Sequence, residues 1–199
     1  MKSEPARVRE FVRQILLSCR RLLGIRWHGL HSPLSEAAVL EFEHRHSIVL
    51  PADYRHFITH IGNGGYGGLF RLGDLRGKPW QEGDGFVGVL SRAFPHREAW
   101  NDRSGAPSEE LSRTDPDAGE RQRVAFEKMY FDSSWVNGAL PVCDEGSGAL
   151  VWLVVTGEEA GHLWQDDRYA DGGIYPLKLT SGEPATFSAW YGSQVDWKP

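Results

Sequence analysis

Residues 149–155 read ALVWLVV, an unbroken apolar run whose length suits a β-strand, and this stretch constrains the fold more than any other. It reads as a buried strand. Residues 156–161 supply a turn, and 161–165 form a second strand, so the two make a hairpin that puts Trp164 beside the apolar run as a core anchor. Alternation around Tyr175, Leu177 and Leu179 predicts a further strand. Phe187, Trp190 and Tyr191 then share one face of a closing helix. Upstream, Ser32-Pro33 reads as the N-cap and first turn of a helix running to about His46. Leu50-Pro51 starts another, with Tyr54, Phe57, Ile58 and Ile61 on its buried face. Between these two halves, residues 101–123 are polar and broken by Gly105, Pro107, Pro116 and Gly119. They read as a long surface loop leading into a helix near 124–130.

The segment HIGNGGYGG at 60–68 has the G-x-G-x-x-G spacing of a dinucleotide-binding loop. A pyrophosphate loop must follow a strand and open a helix, whereas this one follows a helix. Its glycines therefore read as a helix stop and a tight turn into a strand near 68–72, with Gly64 or Gly65 at positive φ. No cofactor-binding role is assigned.

The 199 residues carry a formal charge of -5, unevenly distributed. The first thirty hold seven Lys and Arg against Glu4 and Glu10, leaving fifteen basic and twenty-five acidic side chains in the remainder. A body of about -10 without a basic, aromatic-interleaved stripe argues against nucleic acid and toward a basic protein partner. Val8, Phe11, Val12, Ile15, Leu16, Cys19, Leu22 and Leu23 recur at three- and four-residue intervals, marking a basic amphipathic helix. Arginines interrupt each of its apolar runs, so it is neither a secretion signal nor a transmembrane segment. Self-association, docking on the domain and membrane-surface contact all stay open for it. Two cysteines, Cys19 and Cys143, do not make a disulfide framework, and the expected compartment is the cytoplasm.

Three stretches in this order resemble the SMI1/KNR4 family of the SUKH superfamily, over roughly residues 32–199. FEHRHSIVLPADYRHFITHIGNGG is similar to its first signature, with Phe42-Glu43, Leu50-Pro51, Asp53-Tyr54, Phe57 and Asn63-Gly64-Gly65 at matching positions. LPVCDEGSGALVWLVVTGEEAGHLWQDD resembles the second, through Gly146 and Gly148, Gly157 and Gly161, and Trp164. TFSAWYGSQVDW is similar to the closing helix. His46 and Ser147 depart from the family pattern, which usually has an apolar residue at the first position and often a small residue or Cys at the second. The resemblance implies an α+β domain, a mostly antiparallel sheet covered by helices; residues 1–31, read from their periodicity as an added N-terminal helix and connector, lie outside it. It also implies a non-enzymatic protein-binding module, an immunity protein that neutralises a cognate polymorphic toxin. A signalling or scaffold adaptor shares that fold, and an uncharacterised enzyme is the third reading.

Candidate chemistry is sparse. His56 and His60 have the i, i+4 spacing of zinc ligands, but Phe57 stands where a zincin has its glutamate and no third ligand is indicated. Cys143 beside Asp144 lacks an identifiable His and orienting acid, so it reads as a small buried hydrophobe. No catalytic or metal-binding residue is assigned. Between residues 144 and 171, Asp144, Glu145, Glu158, Glu159, Asp166, Asp167 and Asp171 are opposed only by Arg168. If the strands pair as expected, the turns at 144–148 and 166–173 cluster, with Glu158 and Glu159 at the opposite end. Asp144, Glu145, Asp166, Asp167 and Asp171 are then the candidate rim for a basic toxin, against the plainer reading of a solvated charged face.

Overall fold

A computed structural model describes residues 29–66, 71–75 and 87–195. The expected N-terminal amphipathic helix lies outside the described residues. The described residues form an α+β domain built on one seven-stranded antiparallel sheet whose spatial order follows the sequence. Its strands are β1 (Gly29–Leu30), β2 (Gly65–Tyr66), β3 (Arg71–Leu72), β4 (Ala139–Gly146), β5 (Ala149–Val154), β6 (Leu163–Asp166) and β7 (Ile174–Pro176). All six β5 residues are buried, so both faces of the sheet are covered there. The β4–β5 hairpin turns at Ser147 and Gly148, both at positive φ, which is the two-residue type I′ geometry that matches strand twist.

Helix α1 spans Glu36–His46, and its N-cap is Ser35, whose Oγ accepts from the Ala38 N–H at 3.2 Å. The expected Ser32 cap is therefore corrected by three residues. Leu34 explains the shift: its N–H donates to the Ile58 carbonyl at 2.8 Å, and it is buried, as is Val39. These two occupy the flanking positions of a hydrophobic staple, which fixes where the helix can begin. Helix α2 (Ala52–His60) follows Pro51 and buries Tyr54, Phe57 and Ile58. Closing helix α5 (Phe187–Val195) packs on it, with Phe187 edge-on to both Tyr54 and Phe57, and Tyr191 edge-on to Phe57, at centroid separations of 4.7–4.9 Å. Such aromatic pairs add about 0.5–1.5 kcal/mol each beyond area burial.

The region expected to be a long loop is corrected more substantially. It contains α3 (Glu109–Thr114) and α4 (Pro116–Tyr130), the latter beginning eight residues before the expected helix. Ser108 Oγ caps α3 through the Leu111 N–H, and Asp115 Oδ1 caps α4 through the Ala118 N–H. Pro116 occupies the first turn, where its missing donor costs nothing. Gly119, one of the apparent breakers, lets the helices approach: a Cβ there would lie 2.7 Å from Ser112 Cα. Only Gly119 and Tyr130 of α4 are buried, so the apolar periodicity that marks a packed helix is missing from its sequence.

The glycine turn is structural. Gly64 and Gly65 both take positive φ, and a Cβ on Gly65 would stand 2.2 Å from the Gly29 carbonyl oxygen. Gly65 therefore serves the close approach of β1 to β2.

Candidate functional site

Strand register brings the acidic turns together. Asp144, Leu150, Asp166 and Ile174 are successive cross-strand partners on β4 to β7, so the 146–149 turn and the 167–173 segment lie at the same end of the sheet. Glu158 and Glu159 lie beyond the Leu153–Leu163 pair, at the other end, in the turn bracketed by positive-φ Gly157 and Gly161. The expected clustering is thus the observed one.

Within that cluster the five carboxylates are not equivalent. Asp166 is corrected from rim to interior: it is 4% exposed and bound by Arg168, itself 6% exposed, through Nε–Oδ1 at 2.9 Å and Nη2–Oδ2 at 2.7 Å. Trp152 Nε1 also donates to Asp166 Oδ2 at 3.3 Å, and Arg168 Nη1 donates to the Tyr130 carbonyl at 2.9 Å. A buried charge survives only with its counter-charge and lone pairs satisfied, so this pair is a structural clamp between β6 and the end of α4. The other four line the surface. Asp144 Oδ1 accepts from the Gly146 N–H at 2.8 Å and Glu145 Oε2 accepts from Gln165 Nε2 at 3.1 Å. Asp171 has its backbone at φ 61 and its carboxylate 2.8 Å from Arg103 Nη1, an ion pair between elements that sequence proximity does not reveal. Asp167 is half-buried, and its backbone closes the loop through Gly172 and Gly173.

At the same end of the sheet, in the short helical turn between Asp167 and Asp171, stands Tyr169, 65% exposed. Its ring is held on two sides. A Cβ added to Gly148 would fall 2.6 Å from the Tyr169 ring, and the Phe131 ring lies 4.8 Å away by centroid. Arg168 in turn sits 5.7 Å from the Phe131 centroid. Sequence reasoning missed Tyr169 and Arg103, because one aromatic in a short irregular segment has no periodicity to expose it. An aromatic that packs on two neighbours yet faces solvent can serve as a contact anchor, since those contacts limit the side-chain entropy lost on binding.

The remaining motif residues hold the fold. Glu43 is buried, accepts the Leu50 N–H at 2.8 Å and pairs with Arg55, tying the end of α1 to the Leu50-Pro51 entry into α2. Asn63 is buried, donates to Asp74 and accepts the Leu75 N–H at 3.2 Å. His46 packs its ring against Phe42 at 4.5 Å, tilted by 45°, which accommodates a histidine at a half-buried position. Trp164 is fully buried against Phe94 at 5.0 Å. Cys143 is buried in β4, and burial, with Glu145 and Asp144 acting in the same direction, pushes its thiol well up. A thiol so held is a poor nucleophile. His56 and His60 stack on the exposed side of α2 at 4.3 Å, and among the described residues no group of three or more His, Cys, Asp or Glu could hold a metal ion. No helix among the described residues is long and apolar enough to cross a membrane.

The model of the SMI1 / KNR4 family (SUKH-1) matches residues 33–178. No curated protein and no solved structure matches the chain.

Proposed function

Because the chain belongs to the SMI1/KNR4 family, we propose that it is a non-enzymatic protein-binding module of the immunity type, one that captures and occludes a cognate toxin with a basic surface. The observation that carries this reading is the exposed Tyr169, packed on Gly148 and Phe131 at the end of the sheet to which the strand register also brings Asp144, Glu145, Asp167 and Asp171. Asp166 lies outside that set because it is buried together with Arg168, whereas Asp171, paired with Arg103, stays exposed. Complementary charge steers encounter, while a desolvated aromatic at the centre of the contact slows release. Action in the cytoplasm is part of the proposal, where an immunity protein meets a toxin before it acts.

The test is association kinetics with a purified cognate toxin domain, at low and high salt. Replacing Asp144, Asp167 and Asp171 with Asn and Glu145 with Gln keeps the hydrogen-bonding shape, and Asn tolerates the left-handed backbone at 171. That variant is expected to associate on the order of tenfold more slowly at low salt, with the difference shrinking at high salt. Tyr169→Ala is expected to act on dissociation instead, costing about 2 kcal/mol of affinity. A quadruple variant that associates as fast as the natural chain at low salt overturns the reading.

A further inference from the structure

Of residues 95–105, only His96 is buried and only Trp100 is half-buried; the rest are exposed. This segment lies along the outer edge of β7, where Trp100 and Ile174 exchange backbone hydrogen bonds, each at 2.8 Å. Its two inward side chains plug into one aromatic cluster. His96 donates from Nε2 to the Trp135 carbonyl at 2.9 Å and sits among the rings of Phe94, Trp100, Trp135 and Trp164 at centroid separations of 5.2–6.1 Å. Trp100 stacks on Trp135 at 4.4 Å and on Tyr130 at 5.4 Å. The segment's other ties, Arg97 to Glu158 and both Asn101 and Arg103 to Asp171, are exposed and hold it weakly.

We infer that residues 95–103 are an acid-released strap: when His96 gains a second proton, the strap leaves the sheet as a unit, ahead of global unfolding, and uncovers the Ile174 backbone on the β7 edge. A second proton places a charge among four rings. The buried Trp164 Nε1 is a donor that itself lacks a partner, so it offers that charge nothing. The charged groups nearby do not compensate it. Asp166 and Arg168 bind each other, the Ser133–Val136 turn carries no titratable side chain, α4 packs there through Tyr130, and Arg97 and Glu98 on the strap face solvent. Burial, chiefly, lowers the His96 pKa, with Arg168 adding to the effect and the Trp135 carbonyl and Asp166 opposing it. Release returns the imidazolium to water and breaks two inward contacts while β4, β5 and β6 stay paired, so it is a cheaper opening than global unfolding.

The experiment is amide hydrogen exchange of the full chain, followed by NMR across pH and corrected for intrinsic rates, with the His96 ring resonances giving its folded pKa in the same samples. The amides of Trp100 and Ile174 are expected to open more readily than those of Val151 and Leu153 on β5. Their opening should rise about tenfold for each pH unit between the ordinary 6.5 and the folded His96 value, then level off. His96→Phe should abolish that rise. One opening free energy shared by the Trp100, Ile174 and β5 amides overturns the strap, because global unfolding then takes up the proton. A strap that stays closed while His96 titrates overturns it too. So does a rise that survives in His96→Phe, which assigns the acid response to Glu158 and Asp171. If that variant does not fold, ring titration set against amide opening in the natural chain still decides.

Discussion

Arg168 shows how the identity of one partner changes the meaning of a residue. In sequence it is the single cation within an acidic stretch, and in the folded chain it is consumed by Asp166 two residues away. Removing the guanidinium leaves a carboxylate buried beside Trp152, and this uncompensated charge is expensive. Arg168→Met is expected to lower unfolding free energy by about 3–5 kcal/mol, read from the midpoint of urea denaturation. Adding Asp166→Leu should recover most of the loss, since a well-packed apolar pair replaces a buried ion pair at little net cost. A double variant as unstable as the single one would show that the hydrogen bonds to Tyr130 and Trp152 outweigh the charge. Glu43 and Asn63 were legible as motif positions, but their work was not. The carboxylate that accepts the Leu50 N–H and the amide that receives Leu75 both bridge segments separated by seven or more residues.

At the scale of elements, legibility tracked apolar periodicity. The strands at 149–154 and 163–166, the aromatic face of α5 and the buried face of α2 all carry patterns of period two, 3.6 or continuous burial. Helices α3 and α4 carry caps without a buried stripe, so their polar residues read as loop. The β4–β5 turn is readable from Gly146 and Gly148, yet Ser147 adopts φ 54, a left-handed conformation that costs an ordinary residue about 1–2 kcal/mol. Asn is the preferred residue at the first position of a type I′ turn. Ser147→Asn is therefore expected to stabilise the chain by about 0.5–1 kcal/mol, measured calorimetrically. No gain, or a loss, would mean that the turn relaxes away from type I′ geometry in solution.

Over the whole molecule, one core unites the sheet with the aromatic region at 87–100, where His96 lies among Phe94, Trp100, Trp135 and Trp164 and its Nε2 donates to the Trp135 carbonyl at 2.9 Å. Burial, chiefly, lowers the His96 pKa below its ordinary 6.5, with Arg168 adding to the effect and the Trp135 carbonyl and Asp166 opposing it. Below about 6.5 the unfolded chain binds a proton that the folded chain refuses, so stability from this group is present above that pH and is lost as pH falls toward the lower folded value. His96→Phe should flatten this part of the stability profile, and identical pH slopes for the two chains would place the acid sensitivity in other groups. The sequence alone determined the α+β class, the buried hairpin, the structural nature of the glycine turn and the family signature, because each is written in local spacing and in the side-chain periods of helix and strand. Only the tertiary structure decided which carboxylates face solvent. Asp166, Asp167 and Asp171 look alike in a row of residues, and their fates diverge because Arg168 folds back beneath the sheet end, Arg103 arrives from a distant segment, and Tyr169 is pressed outward between Gly148 and Phe131.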